Sequence, residues 1–187
     1  MILTDIGEIG VYHEGRELFL RPSLYAMSRL GTKEEIFHVL HEVMQGDLAY
    51  SLAVLQVCSD GDIRDIFGYI DQDSFEFVGG EVSEGEIVIL AQSLLKHGII
   101  GDIDRSEDPP IKESEYSKEF DAKSYVAIAM AHLGVSERDA WQMTMTSLAG
   151  ALRAKYPPVK NNKDKLPTLE EVAAIDDWVA EVNKLRD

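Results

Sequence analysis

The sequence has few of the residues and segments that mark particular protein classes. It has one cysteine, Cys58, in 187 residues, so an intrachain disulfide is excluded, which is consistent with a reducing compartment. No apolar run approaches the roughly 20 residues needed to span a bilayer. The first ten residues, MILTDIGEIG, lack the basic and long apolar regions of a signal peptide. These absences predict a protein without a membrane-spanning segment or a signal peptide.

Positive charge is also scarce. The chain has 18 Lys and Arg against 34 Asp and Glu, a net charge of −16. Residues 1–104 have a net charge of −13 and residues 105–187 a net charge of −3. The acidic first part should repel nucleic acid and anionic membranes, so neither is an expected partner. The asymmetry indicates two regions with different surroundings, although an acidic surface also simply keeps a protein soluble.

The familiar signatures of catalysis are missing as well. The chain has no Gly-rich phosphate loop, no nucleophile elbow and no Cys/His zinc pattern. Cys58 has no basic neighbour before Arg64 to lower its pKa, so a small buried apolar role is expected. The sequence therefore gives no positive support for an enzyme or a cofactor.

What is present is a pattern of helix starts after an N-terminal hairpin. In EIGVYHEGRELFLRP, apolar residues alternate with others on both sides of a glycine turn, which predicts a β-hairpin. Capping boxes are expected at Thr32–Glu35 and Ser83–Glu86, because Ser or Thr followed three residues later by Glu satisfies the first helical N–H groups. Further helix starts are predicted at Asp47, Asp121, Ser136 and Thr168. The helix that begins after Ser83 is expected to end at Gly98, because glycine commonly ends a helix.

These elements predict a mainly α fold: a helical bundle with an N-terminal β-hairpin and a smaller helical C-terminal part. Residues 105–119 read RSEDPPIKESEYSKE, which is polar and has no apolar periodicity. We therefore predict an acidic helical domain over 1–104, a linker or exposed loop over 105–120, and a C-terminal helical region over 121–187. The 45% hydrophobic content is enough to form a core.

One helix face carries candidate metal ligands. Glu34, His38, His41 and Glu42 share a face of the helix predicted after Thr32. Two imidazoles and two carboxylates are able to bind zinc or another divalent metal. The face lies opposite the apolar stripe, however, where solvated polar residues are expected in any amphipathic helix. We therefore predict no metal site, with these four residues as the weak candidates.

Residues 121–156 have the outline of a helix-turn-helix: a helix, a glycine turn, a Ser cap and a second helix. A recognition helix presents Arg, Lys, Asn or Gln to base edges near its start. Here Arg138 and Gln142 are the residues of that kind. The net charge opposes phosphate binding, so a DNA-binding regulator is a lesser alternative.

The segment DAWQMTMTSLAGALRAKYPP, residues 139–158, carries the candidate partner-binding residues. In one continuous helix, Trp141, Met145, Leu148 and Leu152 would form a single stripe. Alternatively, Thr144 and Thr146 cap and break the segment into two shorter helices. The apolar faces of this segment have two possible roles. They pack within the chain, since tryptophan is usually buried, or they form an adaptable Met- and Trp-rich groove for a helical partner. The predicted partner-binding residues are Trp141, Met143, Met145, Leu148 and Leu152.

Two stretches of the sequence resemble a known family. The hairpin stretch IGEIGVYHEGRELFLRPSLYAMSRLGT, ending at Thr32, together with SERDAWQMTMTSLAGALRAKYPP, resembles the tail assembly chaperones of long-tailed bacteriophages. The second stretch is similar to their Ala-Trp-x-Met-Thr helix, here Ala140, Trp141, Met143 and Thr144. Many relatives have an acidic residue after the Met-Thr pair, and this chain has none there.

The resemblance implies a non-enzymatic protein of the host cytoplasm that is absent from the mature virion. Such chaperones bind the tape measure protein, a very long helical chain with exposed apolar stripes, and keep it soluble until the tube forms. The tail tube protein is a further implied partner, and self-association is compatible with this function. A structural tail subunit, such as a completion or connector protein, is the alternative.

Overall fold

The structure is a computed structural model that describes residues 2–102 and 119–157. The chain divides into a compact unit over Met1–Pro157 and a second unit over Pro158–Asp187. The second unit, with the helix predicted to start at Thr168, lies outside the described residues, as does nearly all of the predicted linker.

The chain begins with a three-stranded antiparallel sheet. Its strands are β1 (Ile2–Leu3), β2 (Ile9–His13) and β3 (Arg16–Leu20), in the order β1-β2-β3. Glu14 and Gly15 form the turn between β2 and β3, both with positive φ, as a tight hairpin with right-handed strand twist requires. Ile9 pairs with Leu20 and Val11 with Leu18, and all four are buried. The predicted hairpin is confirmed.

Three helices follow the sheet: α1 (Leu24–Ser28), α2 (Lys33–Met44) and α3 (Leu48–Cys58). Ser23 caps α1 by accepting the Ala26 N–H. Thr32 and Glu35 form the predicted capping box of α2, and the Asp47 side chain caps α3. α3 is apolar nearly all round, and five of its residues, including Val54 and Leu55, are buried.

The middle of the chain contains a short helix α4 (Arg64–Phe67), a small antiparallel hairpin of β4 (Tyr69–Ile70) and β5 (Phe77–Val78), and helix α5 (Glu84–Leu95). Ser83 and Glu86 form the second predicted capping box.

The helix after Ser83 does not end where the sequence predicts. Gly98 was the expected end, but α5 continues into a π-helical turn, Lys96–Ile100, and Gly101 ends it with φ +79. Gly98 instead allows the Met27 side chain to pack closely against the backbone, since a Cβ added at Gly98 would lie 2.6 Å from Met27 Sδ. The predicted helix end is therefore wrong, because this glycine is required by packing and not by a left-handed cap.

The C-terminal part of the compact unit consists of α6 (Ala122–Leu133), α7 (Glu137–Gln142) and α8 (Met145–Lys155). Asp121 and Ser136 cap α6 and α7 as predicted. Met143 and Thr144 are extended, and Thr144 caps α8 by accepting the Ser147 N–H at 3.0 Å. The alternative of two shorter helices is thus the one found, so Trp141 and Leu148 do not share one continuous helix.

The helices from both parts of the chain pack together. α1 contacts α3, α6 and α7, and α8 contacts the π turn. The charge difference at Asp104 predicted a separate C-terminal region, whereas the compact unit includes α6–α8. The fold is mostly helical with a small β component, which confirms the mainly α prediction at that level. Among the described helices, none has the length and apolar character needed to cross a bilayer.

Candidate functional site

The two stretches that carry the family resemblance lie side by side in the fold. The Leu24 N–H donates to the Met143 carbonyl at 2.8 Å, and Ser23 and Thr144 form an antiparallel bridge. These contacts join the start of α1 to the break between α7 and α8, more than 100 residues further along the chain. Side chains of α1 and α7 therefore share one surface.

An aromatic pair marks this surface. The rings of Tyr25 and Trp141 meet edge to face, with centroids 6.3 Å apart and planes at 86°. The Trp141 Nε1–H points to Glu137 Oε1 at 3.4 Å, and Trp141 is half-buried, while Tyr25 is 51% exposed. Edge-to-face pairs of this kind contribute about 0.5–1.5 kcal/mol beyond their burial. The pair therefore holds a large apolar ring in place at the surface.

A groove of about 310 Å³ lies beside the aromatic pair. The residues that give it its chemistry are Phe19, Arg21, Tyr25, Arg29, Asp60 and Gln142. Two hydrogen bonds hold one wall: the Phe19 N–H donates to the side-chain Oδ1 of Asp60 at 3.1 Å, and the Asp60 N–H donates to the Phe19 carbonyl at 3.2 Å. We call the surface formed by Phe19, Arg21, Tyr25, Arg29, Trp141 and Gln142 the aromatic–arginine face.

The charges on this face contrast with the acidic chain. Two of the six basic residues in positions 1–104, Arg21 and Arg29, line the groove. Arg21 Nε lies 2.5 Å from Glu8 Oε1, whereas the Arg29 guanidinium forms no ion pair or hydrogen bond with the described residues. The face thus presents aromatic rings next to a guanidinium that has no partner among the described residues, and both residue types are enriched at the centres of protein interfaces.

The predicted partner-binding residues divide into two groups. Met145 is 9% exposed and Leu148 1% exposed, and both belong to the core. Trp141, Met143 and Leu152 are half-buried and pack against that core. Met145 and Leu148 are thus not available to a partner in this conformation. For these two residues, the structure shows packing within the chain, which was one of the two roles considered from the sequence.

Phe19, Tyr25 and Arg29 belong to this face but are not among the partner-binding residues predicted from the sequence. Phe19 lies between the buried Leu18 and Leu20, so strand alternation alone places it on the outer face. No sequence signal places Tyr25 against Trp141, because that contact depends on how α1 and α7 pack.

The four weak metal candidates remain on the surface of α2. His38 Nδ1 lies 3.6 Å from Glu42 Oε1, and His38 Nε2 lies 3.3 Å from the Tyr50 hydroxyl. Glu34 and His41 are exposed. Within residues 2–102 and 119–157, no group of three or more His, Cys, Asp or Glu side chains is placed to hold a metal ion.

A buried polar cluster lies in the π turn, away from the groove residues. His97 is 7% exposed, and its Nδ1 lies 2.9 Å from Thr146 Oγ1. The same Oγ1 accepts the Asp102 N–H at 2.9 Å. Gly7 packs directly on the imidazole, since a Cβ added there would lie 2.2 Å from His97 Cβ. Burial is the main cause that lowers the pKa of His97; the Asp102 carboxylate has a smaller raising effect, and the Lys96 ammonium lowers the pKa further.

Two other sequence candidates have a structural setting that limits their chemistry. Cys58 is buried, and burial raises the pKa of its thiol, so the nucleophilic thiolate is not formed near neutral pH. In the helix-turn-helix outline, α7 has only six residues, and its Gln142 lines the groove beside α1.

Comparison with known proteins identifies a family but no individual relative. No curated protein and no solved structure is significantly similar to the chain. Residues 45–172 match a family that is described as a family of unknown function, DUF6246. The match begins after β3 and α1 and covers α3–α8. Since it spans more than half of the chain, the protein belongs to this family of unknown function, DUF6246.

Proposed function

We propose that the protein is a tail assembly chaperone of a long-tailed bacteriophage. In this proposal it binds the tape measure protein through the aromatic–arginine face, keeps that helical client soluble in the host cytoplasm, and is absent from the mature virion. The tail tube protein is its second partner. No bond is made or broken, and no cofactor takes part.

The observation that carries the proposal is the meeting of the two resembling stretches at one aromatic surface. Tyr25 comes from the first stretch and Trp141 from the second, and their rings are in contact. Phe19, 44% exposed on the outer face of β3, extends the aromatic area across the groove. Aromatic rings held on helices and strands provide large contact area at little entropic cost, which suits an apolar helix lying in a groove.

The acidic charge supports the same function. A chaperone that coats many sites on a long apolar chain must keep the coated complexes apart. A net charge of −16 supplies that repulsion. Apolar contacts in the groove and charge elsewhere on the surface therefore have complementary tasks.

The direct test is co-expression with the tape measure protein of the same phage. We expect the client to be soluble with this chain and insoluble without it. Tyr25→Ala should lower the soluble client several-fold, because truncation of a central aromatic residue removes much of the binding energy of an interface. Tyr69→Ala is the matched control, since Tyr69 is 40% exposed and lies outside the face.

Two outcomes would count against the proposal. The client would remain insoluble whether or not the chain is present, or Tyr69→Ala would lower solubility as much as Tyr25→Ala. The second result would show that the aromatic–arginine face is not the binding surface.

A further inference from the structure

Arg29 is an exception among the basic side chains that the structure describes in the N-terminal part. Lys33 pairs with Asp121 at 2.5 Å, Arg64 with Asp62 at 2.9 Å, and Lys96 with Asp102 at 2.8 Å. Arg21 pairs with Glu8. Arg29 has no such partner in the described part of the chain, although nineteen acidic residues occur in positions 1–104.

Its position connects this free charge with the aromatic surface. Arg29 follows α1 directly and is four residues after Tyr25, so both side chains lie on the same side of that helix. Both line the groove. The carboxylate in the groove, Asp60, accepts the Phe19 N–H through Oδ1 and has no ion pair with Arg29. A partner lying on Tyr25 and Trp141 would therefore meet an unoccupied guanidinium at the edge of the apolar contact.

We infer that the helix bound by the aromatic–arginine face carries carboxylates beside its apolar stripe, and that Arg29 pairs with one of them. The inference rests on the proposed function and specifies the chemistry of the client. Arg is suited to this task because its planar guanidinium binds a carboxylate through two parallel hydrogen bonds.

The negative net charge of the chain favours a basic client, whereas Arg29 favours an acidic one. Which effect is larger depends on the distance over which each charge acts. At physiological ionic strength, exposed charges are screened over about 8 Å. Most of the acidic surface then acts weakly on a bound peptide, whereas a carboxylate in contact with Arg29 is within pairing distance. A cationic client would instead place its ammonium groups against the guanidinium.

Two designed amphipathic peptides test the inference with the full chain. They have the same length and the same leucine stripe, and the positions flanking the stripe are all glutamate in one and all lysine in the other. Binding is measured by the fluorescence anisotropy of labelled peptides at about 0.15 M salt. We expect the glutamate peptide to bind roughly threefold more tightly or better, in the range of exposed charge pairs.

Charge-reversal variants separate the local pair from the net charge. Arg29→Glu should remove or reverse the preference, and Arg29→Gln should weaken it. Lys123→Glu changes the net charge by the same amount as Arg29→Glu, but the exposed Lys123 lies on α6 outside the groove. We expect it to leave the order of the peptides unchanged.

The possible contrary results are distinct. Equal binding of the two peptides, or tighter binding of the lysine peptide, would overturn the inference while the proposed function stands, provided that Tyr25→Ala weakens both. An equal effect of Arg29→Glu and Lys123→Glu would also overturn it, because net charge would then set the preference. If neither peptide binds, the proposed function fails and the inference fails with it.

Discussion

His97 is buried in the π turn, and burial lowers its pKa and so favours the neutral imidazole. Thr146 Oγ1 accepts the Asp102 N–H, so its own hydrogen is free to donate. His97 Nδ1, at 2.9 Å, is closer to this hydroxyl than the His97 carbonyl is, at 3.5 Å. The hydroxyl hydrogen also reaches the His97 carbonyl, and the hydroxyl oxygen has a second lone pair, so Thr146 pairs with Nδ1 in either tautomer of the neutral imidazole, as donor to a bare Nδ1 or as acceptor from an Nδ1–H. The π turn thus serves to place a polar side chain against α8.

This arrangement predicts a loss of stability in mild acid. Burial lowers the pKa of His97 below its usual 6.5 in the folded protein. As the pH falls below about 6.5, the unfolded chain binds a proton at this position before the folded chain does. The stability that depends on neutral His97 is therefore fully present above the pKa of the unfolded chain. It is lost as the pH falls toward the lower pKa of the folded protein. The urea midpoint should decrease between pH 7.5 and pH 5.5.

Two histidine variants isolate this effect. His97→Asn keeps a polar partner for Thr146 but has no proton to gain, so its urea midpoint should change less between the two pH values. His41→Asn removes an exposed histidine on α2 and should retain the full pH dependence. Identical pH dependence in the two variants would show that His97 is not the group responsible.

The starts of the helices could be predicted from the sequence because capping is local. In the pairs Thr32–Glu35 and Ser83–Glu86, the side chain of each residue accepts the backbone N–H of the other, so the whole motif spans four residues. Asp47 and Asp121 cap in the same way. No tertiary contact is needed for any of these, so sequence spacing was sufficient.

The elements that differ from the sequence prediction depend on residues that are distant in the chain. Gly98 resembles a helix end in the sequence, but its role is to let Met27 approach. The break at Met143 and Thr144 is stabilised by Leu24 and Ser23, which the spacing of residues 139–158 does not reveal. The candidate site has the same limit, since Tyr25 and Arg29 join Trp141 only through the packing of α1 on α7.

The break between α7 and α8 gives a prediction at the level of an element. Thr144 is 1% exposed, and its Oγ1 accepts the Ser147 N–H. Thr144→Ala should lower the free energy of unfolding by about 1–2 kcal/mol, because a lost N-cap leaves an unpaired donor, here in a buried place. Thr144→Ser should restore most of it. Urea denaturation measures both.

Thr32→Ala is the control for the burial of this cap. Thr32 caps α2 in the same manner but is exposed, so water replaces the lost bond and the cost should be smaller. Equal losses for Thr32→Ala and Thr144→Ala would mean that burial adds nothing to this cap.

At the scale of the whole molecule, the distribution of charge did not predict how the chain packs. The change in net charge at Asp104 suggested two regions, yet α6 and α7 pack on α1 and α8 packs on the π turn. Charged residues lie on the surface, where they influence solubility and the choice of partners. The boundary of a folding unit depends instead on which apolar faces pack together. Ala129 and Leu148 share a core cluster with Leu55 and Leu94.

This shared core predicts that the compact unit unfolds as one. In a Trp178→Phe background, Trp141 fluorescence reports on α7, and far-UV circular dichroism reports on all helices. Their urea transitions should coincide, as in a two-state domain. Leu148→Ala should destabilise both by about 2–5 kcal/mol, since it removes a buried leucine from α8.

Leu55→Ala is the decisive counterpart, because Leu55 lies in α3, before the change in charge, and is fully buried. If α6–α8 belong to the same cooperative unit, this substitution must shift the Trp141 transition as much as it shifts the circular dichroism transition. A separate C-terminal region would instead leave the Trp141 transition in place while the α3 signal moved. Since the aromatic–arginine face combines residues from both parts, only a single cooperative unit would keep that face intact until the whole protein unfolds.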